Sequence, residues 1–357
     1  MRILIINESL GHNLGDHAIQ LGLSNFIREK FEYDVVQLGF PSRNGVRNNQ
    51  LVFKRKLFFT NALHPLRLFL FSICRIPLLI KAISKSDKVV IGGGSLLINN
   101  KLTFPISLAI ITLICRIQKK EFIFLGISSR RENSKFANFL LRNTIKYSSE
   151  IYCRDIKSIS VLDECYNVSS SWIPDLALNI ERKTGLALTG NSIAINIMGR
   201  QAHGFFSSSA NLDKYRRWLE HLIQDSLSLG YKVNLFTTGE SSDNLLMVSI
   251  VNFFGNEKVT GNSFDSLDKL IKFVDKFDIV VGTRLHSAII PLARGSKVAC
   301  FNWDSKVSGF FKTIGNENSL LNDTDTSIEK LIGRSRSLDD SVRIELNDVL
   351  GRIFLND

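Results

Sequence analysis

The residues best suited to chemistry lie in the run Ile279-Val280-Val281-Gly282-Thr283-Arg284-Leu285-His286-Ser287-Ala288. An apolar strand here delivers Arg284 and His286 to the start of the next helix, where free N–H groups and the helix dipole already favour an anion. The arginine fork matches a phosphate or carboxylate, and an imidazole donates a proton near neutral pH. The bland alternative is that His286 is a satisfied residue in a helix cap. Past the next strand, Lys306 in Asp304-Ser305-Lys306-Val307 offers a second cation to the same region, or is simply a solvated loop lysine. Arg200, after the strand Ser192 to Ile197, is a further cation at a strand end.

A second group lies near the start, in Gly11-His12-Asn13-Leu14-Gly15-Asp16-His17-Ala18-Ile19. A Gly-Asp pair entering a helix puts Asp16 at the N-cap, accepting backbone N–H bonds. The functional alternative is that Asn13 and Asp16 hydrogen-bond a polyhydroxyl acceptor or take its proton. A third group is Gly92-Gly93-Gly94 after Val89-Val90-Ile91. Glycines there let a ligand approach the backbone closely, but the spacing is neither that of a P-loop nor GxGxxG.

These residues need elements that hold them, and the chain supplies a repeating alternation of short apolar runs and helical patterns. Strands are expected at Arg2 to Ile6, Tyr33 to Leu38, Lys88 to Ile91 (stopping at the three glycines), Phe122 to Leu125 and Ile151 to Cys153. Helices follow from Asp16 to about Lys30 and around Lys135 to Tyr147. After a polar stretch from Arg182 to Asn191 the pattern restarts. Strands at Ser192 to Ile197, Lys232 to Phe236, Ile279 to Val281 and Lys297 to Phe301 alternate with helices at Leu212 to Leu229, Asp265 to Val274 and Ser287 to Arg294. The expected fold class is α/β, two doubly wound Rossmann-like domains facing a cleft. The domains are 1–181, with a basic and aliphatic insertion at about 40–120, then a linker 182–191, a second domain 192–326 and a C-terminal helix 327–357. A chain of 357 residues is long enough for two such cores.

The formal charge is +11, from 45 Lys and Arg against 34 Asp and Glu. Between Val35 and Lys120 only Asp87 opposes fourteen bases, so the whole excess is local to that window. An anionic partner is implied. Within the window, Leu66 to Ile83 and Leu102 to Cys115 are too short or too interrupted to span a bilayer. Each is either a core helix or a helix lying on an anionic membrane surface. Basic residues interleaved with aliphatic helices do not form a recognisable nucleic-acid motif, so no nucleic acid is expected, although a basic nucleic-acid-binding protein is the non-enzyme alternative. Five scattered cysteines without a CxxC pair suit reduced thiols in the cytoplasm and no thiolate zinc site. The first apolar run is too short for a signal-peptide core.

Taken in order, these pieces resemble the polysaccharide pyruvyl transferases. The resemblance rests on Asn13-Leu14-Gly15-Asp16-His17-Ala18-Ile19, Ile91-Gly92-Gly93-Gly94-Ser95, Arg154-Asp155 with Ser158, Pro174-Asp175, Gly282-Thr283-Arg284-Leu285-His286-Ser287 and Asp304-Ser305-Lys306-Val307. It implies a GT-B-like fold and phosphoenolpyruvate as co-substrate, held mainly by the second domain through Arg284, Leu285, His286, Lys306 and Arg200. His286 would be the catalytic acid and Asp16 the base. Asn13, Asp16, Gly92, Gly93 and Gly94 would face a saccharide acceptor, either polymer or lipid-diphosphate-linked. No cofactor and no metal is expected. The location implied is cytoplasmic, with peripheral contact at the inner face of the membrane where the acceptor is lipid-linked. A GT-B-like glycosyltransferase using a nucleotide sugar is the main enzymatic alternative.

Overall fold

The computed structural model describes residues 1–8, 13–40, 75–98, 102–131, 134–183, 191–199, 209–255, 257–322, 325 and 327–355. The chain divides into two compact units, Met1–Gly11 with Leu23–Leu176 and Asn347–Asp357, and His12–Gly22 with Ala177–Leu346.

The first unit carries β1 (Arg2–Asn7), β2 (Asp34–Gly39), α2 (Ile76–Ser84), β3 (Lys88–Leu97), α3 (Thr103–Ile117), β4 (Phe122–Ser129), α4 (Lys135–Ile145), β5 (Ile151–Cys153), α5 (Ile156–Tyr166) and β6 (Ser171–Trp172). The helix α1 (Leu14–Phe31) has its first half in the second unit and the rest in the first. Six parallel strands run in the order β2-β1-β3-β4-β5-β6. Val89, Val90, Ile91 and every residue of β4 are buried, the near-continuous apolar run of a sheet covered on both faces. On one face Leu4, Val89, Ile91 and Phe124 pack against Leu108 and Ile111 of α3 and Leu141 of α4.

Two expectations are corrected in this unit. The third strand does not stop at Ile91. It continues to Leu97, because Gly93 and Gly94 take φ of 77° and 101° and carry the backbone through an irregular register beside β4. Nor is the described part of the 40–120 window an insertion. β3 pairs directly with β1, and α2 and α3 cover the sheet core. The segment Leu102 to Cys115 lies in α3 with Leu108, Ile111 and Cys115 buried. Residues 41–74 lie outside the described residues. No helix among the described residues is long and apolar enough to cross a membrane.

The second unit carries β7 (Ser192–Asn196), α6 (Ser209–Ser228), β8 (Lys232–Phe236), α7 (Ser241–Phe254), β9 (Val259–Asn262), α8 (Leu267–Val274), β10 (Ile279–Gly282), α9 (Leu285–Arg294), β11 (Lys297–Phe301), α10 (Ser305–Thr313), β12 (Leu320–Leu321) and α11 (Ile328–Arg334). Its parallel sheet runs β12-β11-β10-β7-β8-β9. Renumbered within the unit this is the Rossmann order 3-2-1-4-5-6. Trp218, Tyr215 and Phe301 stack at its centre, with Trp218 and Phe301 ring centroids 4.5 Å apart.

The units part between Leu176 and Ala177 rather than inside 182–191, and residues 12–22 also group with the second unit. The expected single helix 327–357 is two, α11 and α12 (Asp340–Leu355). The break arises because Arg336 leaves the helix to pair its backbone with Val298 of β11. Within α12, residues to Leu346 group with the second unit and those from Asn347 with the first.

Candidate functional site

In the second sheet β7 and β10 are neighbours, and the chain leaves them toward opposite edges. Ligands of open α/β sheets sit at such a switch point, outside the carboxyl ends of the strands. The residues ending these two strands are Asn196 and Gly282-Thr283-Arg284. Asn196 is fully buried and joins three strand ends. Its Nδ2 donates to the Phe236 carbonyl at 3.0 Å, while its Oδ1 accepts from Thr283 Oγ1 at 2.7 Å and from the Arg284 N–H at 3.1 Å. Ser287 Oγ accepts from the Thr283 N–H and donates to the Arg284 carbonyl, closing the first turn of α9. The backbone at the head of α9 is therefore fixed by side chains that leave no freedom to the turn.

Arg284 is the N-cap residue of α9, and its guanidinium forks onto Asp243. Nε donates to Oδ2 at 2.6 Å and Nη2 to Oδ1 at 2.7 Å. Asp243, in the first turn of α7, is fully buried and also accepts the Gly199 N–H at 2.7 Å. Burial pulls the arginine pKa down, but the hydrogen bonds and charge of Asp243 outweigh it, so the pKa lies above its ordinary value. The arginine stays charged yet is already paired. The Nε and Nη2 edge of the fork that the sequence offered to a phosphate or carboxylate is committed to Asp243, and a second anion would have to meet the Nη1 edge. Beneath the pair, the buried Tyr215 hydroxyl accepts the Met198 N–H at 3.1 Å, and burial pushes its pKa up.

His286 is half-buried in the first turn of α9 and lies against Gly15. A Cβ on Gly15 would come within 2.3 Å of His286 Nδ1 and 2.5 Å of Cγ, so any larger residue there must displace the imidazole. The Leu14 N–H donates to the Thr238 carbonyl beyond β8 at 3.3 Å, which anchors the start of α1. The cap of α1 is Asn13 rather than the expected Asp16. Asn13 Oδ1 accepts the Gly15 N–H at 3.1 Å and its carbonyl the Asp16 N–H at 3.2 Å. Asp16 falls inside the first turn, where its carboxylate accepts from Asn13 Nδ2 at 2.9 Å and is 9% exposed.

Lys306 is half-buried in the first turn of α10, where Asp304 caps the helix by accepting the Lys306 N–H at 2.7 Å. Trp303 Nε1 donates to the Thr283 carbonyl, tying the Lys306 loop to the Arg284 loop. Leu285 is half-buried between Arg284 and His286. The second unit thus gathers Asn13, Asp16, Arg284, Leu285, His286 and Lys306, whereas Gly92, Gly93 and Gly94 belong to β3 of the first unit. Arg200 lies outside the described residues. The Arg154-Asp155 and Pro174-Asp175 pieces form a satisfied network in the first unit. Arg154 Nη1 meets Asp175 at 2.8 Å, Nε donates to Ser128 Oγ at 2.9 Å, and Asp155 caps α5. Among the described residues no group of three or more His, Cys, Asp or Glu side chains could hold a metal ion.

Sequence reasoning did not single out Asp243, Asn196 as a linchpin, or Gly15 as the neighbour of His286. Asn196 carried a signal, being a polar residue ending an apolar strand. Asp243 carried none, since its partner lies 41 residues away.

Comparison with known proteins adds three findings. The family model for polysaccharide pyruvyl transferase matches residues 13–305. No curated protein sequence matches the chain. Solved structures share the fold. One from Listeria monocytogenes, described as a UDP-N-acetylglucosamine 2-epimerase, has TM-score 0.56 and 12% identity over 93% of this chain and 86% of that one. The UDP-GlcNAc 2-epimerase from Neisseria meningitidis bound to UDP-GlcNAc has TM-score 0.54 and 10% identity, with 100% of each chain covered. An alpha-glucosyltransferase in complex with UDP-glucose and DNA has TM-score 0.50 and 10% identity over 98% and 95%. The architecture is therefore GT-B-like.

Proposed function

The chain belongs to the polysaccharide pyruvyl transferases, and we propose that it moves the pyruvyl unit of phosphoenolpyruvate onto a surface polysaccharide or its lipid-linked precursor. The observation that carries this reading is the placement of Arg284 and His286 within one turn of a helix N-terminus, at the switch point of the second sheet. A donor with a carboxylate and a phosphate suits that position. Free N–H groups of α9, the Nη1 edge of Arg284 and the Lys306 ammonium supply the positive field, with Arg200 as a further candidate. In this reading no cofactor or metal is assigned a role, because these groups neutralise the donor.

The chemistry then follows from charge and protons. His286 gives a proton to the methylene carbon of the enol, making the methyl group, and positive charge develops on the adjacent carbon. A sugar hydroxyl attacks that carbon while Asp16 accepts its proton. A second hydroxyl displaces phosphate and closes a cyclic ketal. Its proton leaves with the phosphate, and the proton on Asp16 returns to His286 through solvent, so the enzyme is restored. Asn13 and the glycines Gly92, Gly93 and Gly94 are assigned to the saccharide. The four described cysteines are free thiols, in keeping with a cytoplasmic reaction, and a lipid-diphosphate acceptor would hold the enzyme at the inner membrane face.

The test is incubation with phosphoenolpyruvate and candidate saccharides, scoring phosphate release together with a pyruvate-sized mass gain. His286→Ala should abolish turnover while phosphoenolpyruvate still raises the melting temperature, because a ligand binding only the native state stabilises it by mass action. An active His286→Ala protein defeats the assignment. Stabilisation by a nucleotide sugar and not by phosphoenolpyruvate would favour the glycosyltransferase reading, since neighbours of the same fold bind such ligands.

A further inference from the structure

The helices α2, α3 and α4 of the first unit pack side by side, and their sequences contain no Asp or Glu. Several of their outer residues are large and apolar. On α4, Phe136 is 55% exposed and Phe139 is 62% exposed; on α3, Leu113 is 52% exposed and Ile117 is 73% exposed. Exposed aromatic and aliphatic side chains on neighbouring helices are unfavourable in water and mark an interaction surface.

Charge says what kind. Arg142 and Lys146 follow Phe139 on and just beyond the exposed side of α4, and Arg116 of α3 sits with its guanidinium carbon 3.5 Å over the ring of Tyr147. Tyr147 itself is 43% exposed. Aromatic rings flanked by cations, with no acid among them, match an anionic lipid surface, where rings enter the acyl boundary and cations stay with the headgroups. A second exposed apolar face exists on α7, with Leu245, Val248 and Phe253, but that helix has no Lys or Arg and so nothing that selects a partner.

We propose that the exposed Phe136 and Phe139 of α4 and Ile117 of α3, with the cations Arg116, Arg142 and Lys146 on the same two helices and just beyond α4, dock the protein on an anionic membrane. The basic run Lys54-Arg55-Lys56 of the Val35–Lys120 window lies outside the described residues. The inference stands on surface chemistry alone and needs no assumption about the donor.

The test is flotation of the full-length protein with vesicles of phosphatidylcholine and of phosphatidylcholine mixed with phosphatidylglycerol, at low and high salt. The protein should float with the mixed vesicles, less so at high salt, and not with phosphatidylcholine alone. Each basic residue near such a surface contributes about fivefold in affinity, so Arg142→Ser with Lys146→Ser should weaken binding about 30-fold. Phe136→Ser with Phe139→Ser should weaken it at least about tenfold. All four side chains are exposed, so melting temperatures should hold. Three results overturn the proposal: no binding by the parent protein, binding that both variants leave unchanged, or a dimer in sedimentation that the phenylalanine variant dissolves. Stabilisation by phosphoenolpyruvate, to which none of these residues contributes, reports separately on the donor reading.

Discussion

Replacing Gly15 with alanine tests the site more sharply than removing any charged group, because it adds one methyl group and no chemistry. The new Cβ would stand 2.3 Å from His286 Nδ1, and ordinary contact begins at 3.4 Å, so the imidazole must retreat by about 1 Å. Retreat is not free, since a Cβ also meets His286 Cβ at 2.9 Å, close to the backbone of α9. Overpacking of this kind costs about 1 to 3 kcal/mol, and alanine in place of glycine inside α1 returns up to about 1 kcal/mol. The net destabilisation is thus about 0 to 3 kcal/mol, or at most about 12 °C in melting temperature for a unit of about 180 residues. Turnover should fall even while the protein stays folded, because displacing a catalytic group by about 1 Å costs about 100-fold. The assay pairs phosphoenolpyruvate-dependent transfer with urea denaturation of Gly15→Ala, His286→Ala and the double variant. With the ring gone most of the conflict disappears, so in the His286→Ala background the methyl group should be neutral or stabilising. Transfer within threefold of the parent, or a penalty at Gly15 that persists without the ring, would refute the contact and the role built on it.

Other perturbations probe the supports. Asp243→Ala leaves Arg284 without its fork, and since that side chain keeps 22% exposure the loss should sit near about 3 kcal/mol, the low end for a broken buried pair. Urea denaturation measures it, and the double variant with Arg284→Ala should recover part of the loss; a cost under about 1 kcal/mol would contradict the observed pairing. Asp175→Ala should destabilise the first unit by breaking the buried pair with Arg154, yet leave stabilisation by phosphoenolpyruvate unchanged. A shifted donor affinity would move that network into the site. Asp325 is buried, which alone raises its pKa, but the Asn322 N–H, Lys330 and Arg334 hold it below its ordinary 3.8. Its contribution is therefore complete above about pH 5 and lost as pH falls below 3.8 through the folded value. Asp325→Asn should be less stable than the parent at pH 7, with the gap closing toward pH 2; a gap independent of pH would refute the charge as its source.

The fold was legible wherever a strand's burial shows in its own composition. Ile151–Cys153, Lys232–Phe236 and Lys297–Phe301 appear at the limits their apolar runs suggest. Legibility failed where long-range packing decides. The helix α7 gives no helical face in sequence, because Leu245, Val248 and Phe253 are apolar yet exposed, so core and solvent sides look alike. Strand β3 runs through three glycines that locally spell a turn, because Leu125, Ile127 and Ser129 of β4 pair beside it to the end. The split of α1 and α12 between units depends on contacts rather than on any breaker residue, so no linker composition could reveal it.

The same distinction separates the parts of the site. Arg284 and His286 are visible because local sequence creates their setting: an apolar strand, a turn, then a helix start. What gives them a fixed geometry comes from elsewhere in the chain, as Asp243 holds the guanidinium and Gly15 leaves room for the imidazole. Asn196 links the two levels, since one amide at the end of β7 fixes both the Thr283 hydroxyl and the Arg284 N–H. A buried amide with three such bonds strengthens each of them in a low-dielectric setting and penalises any shift of one strand end against the other. The switch point is therefore rigid on the β7 and β10 side. Under the proposed function, a donor anion would meet an Arg284 fork already set by Asp243 rather than one left to reorient.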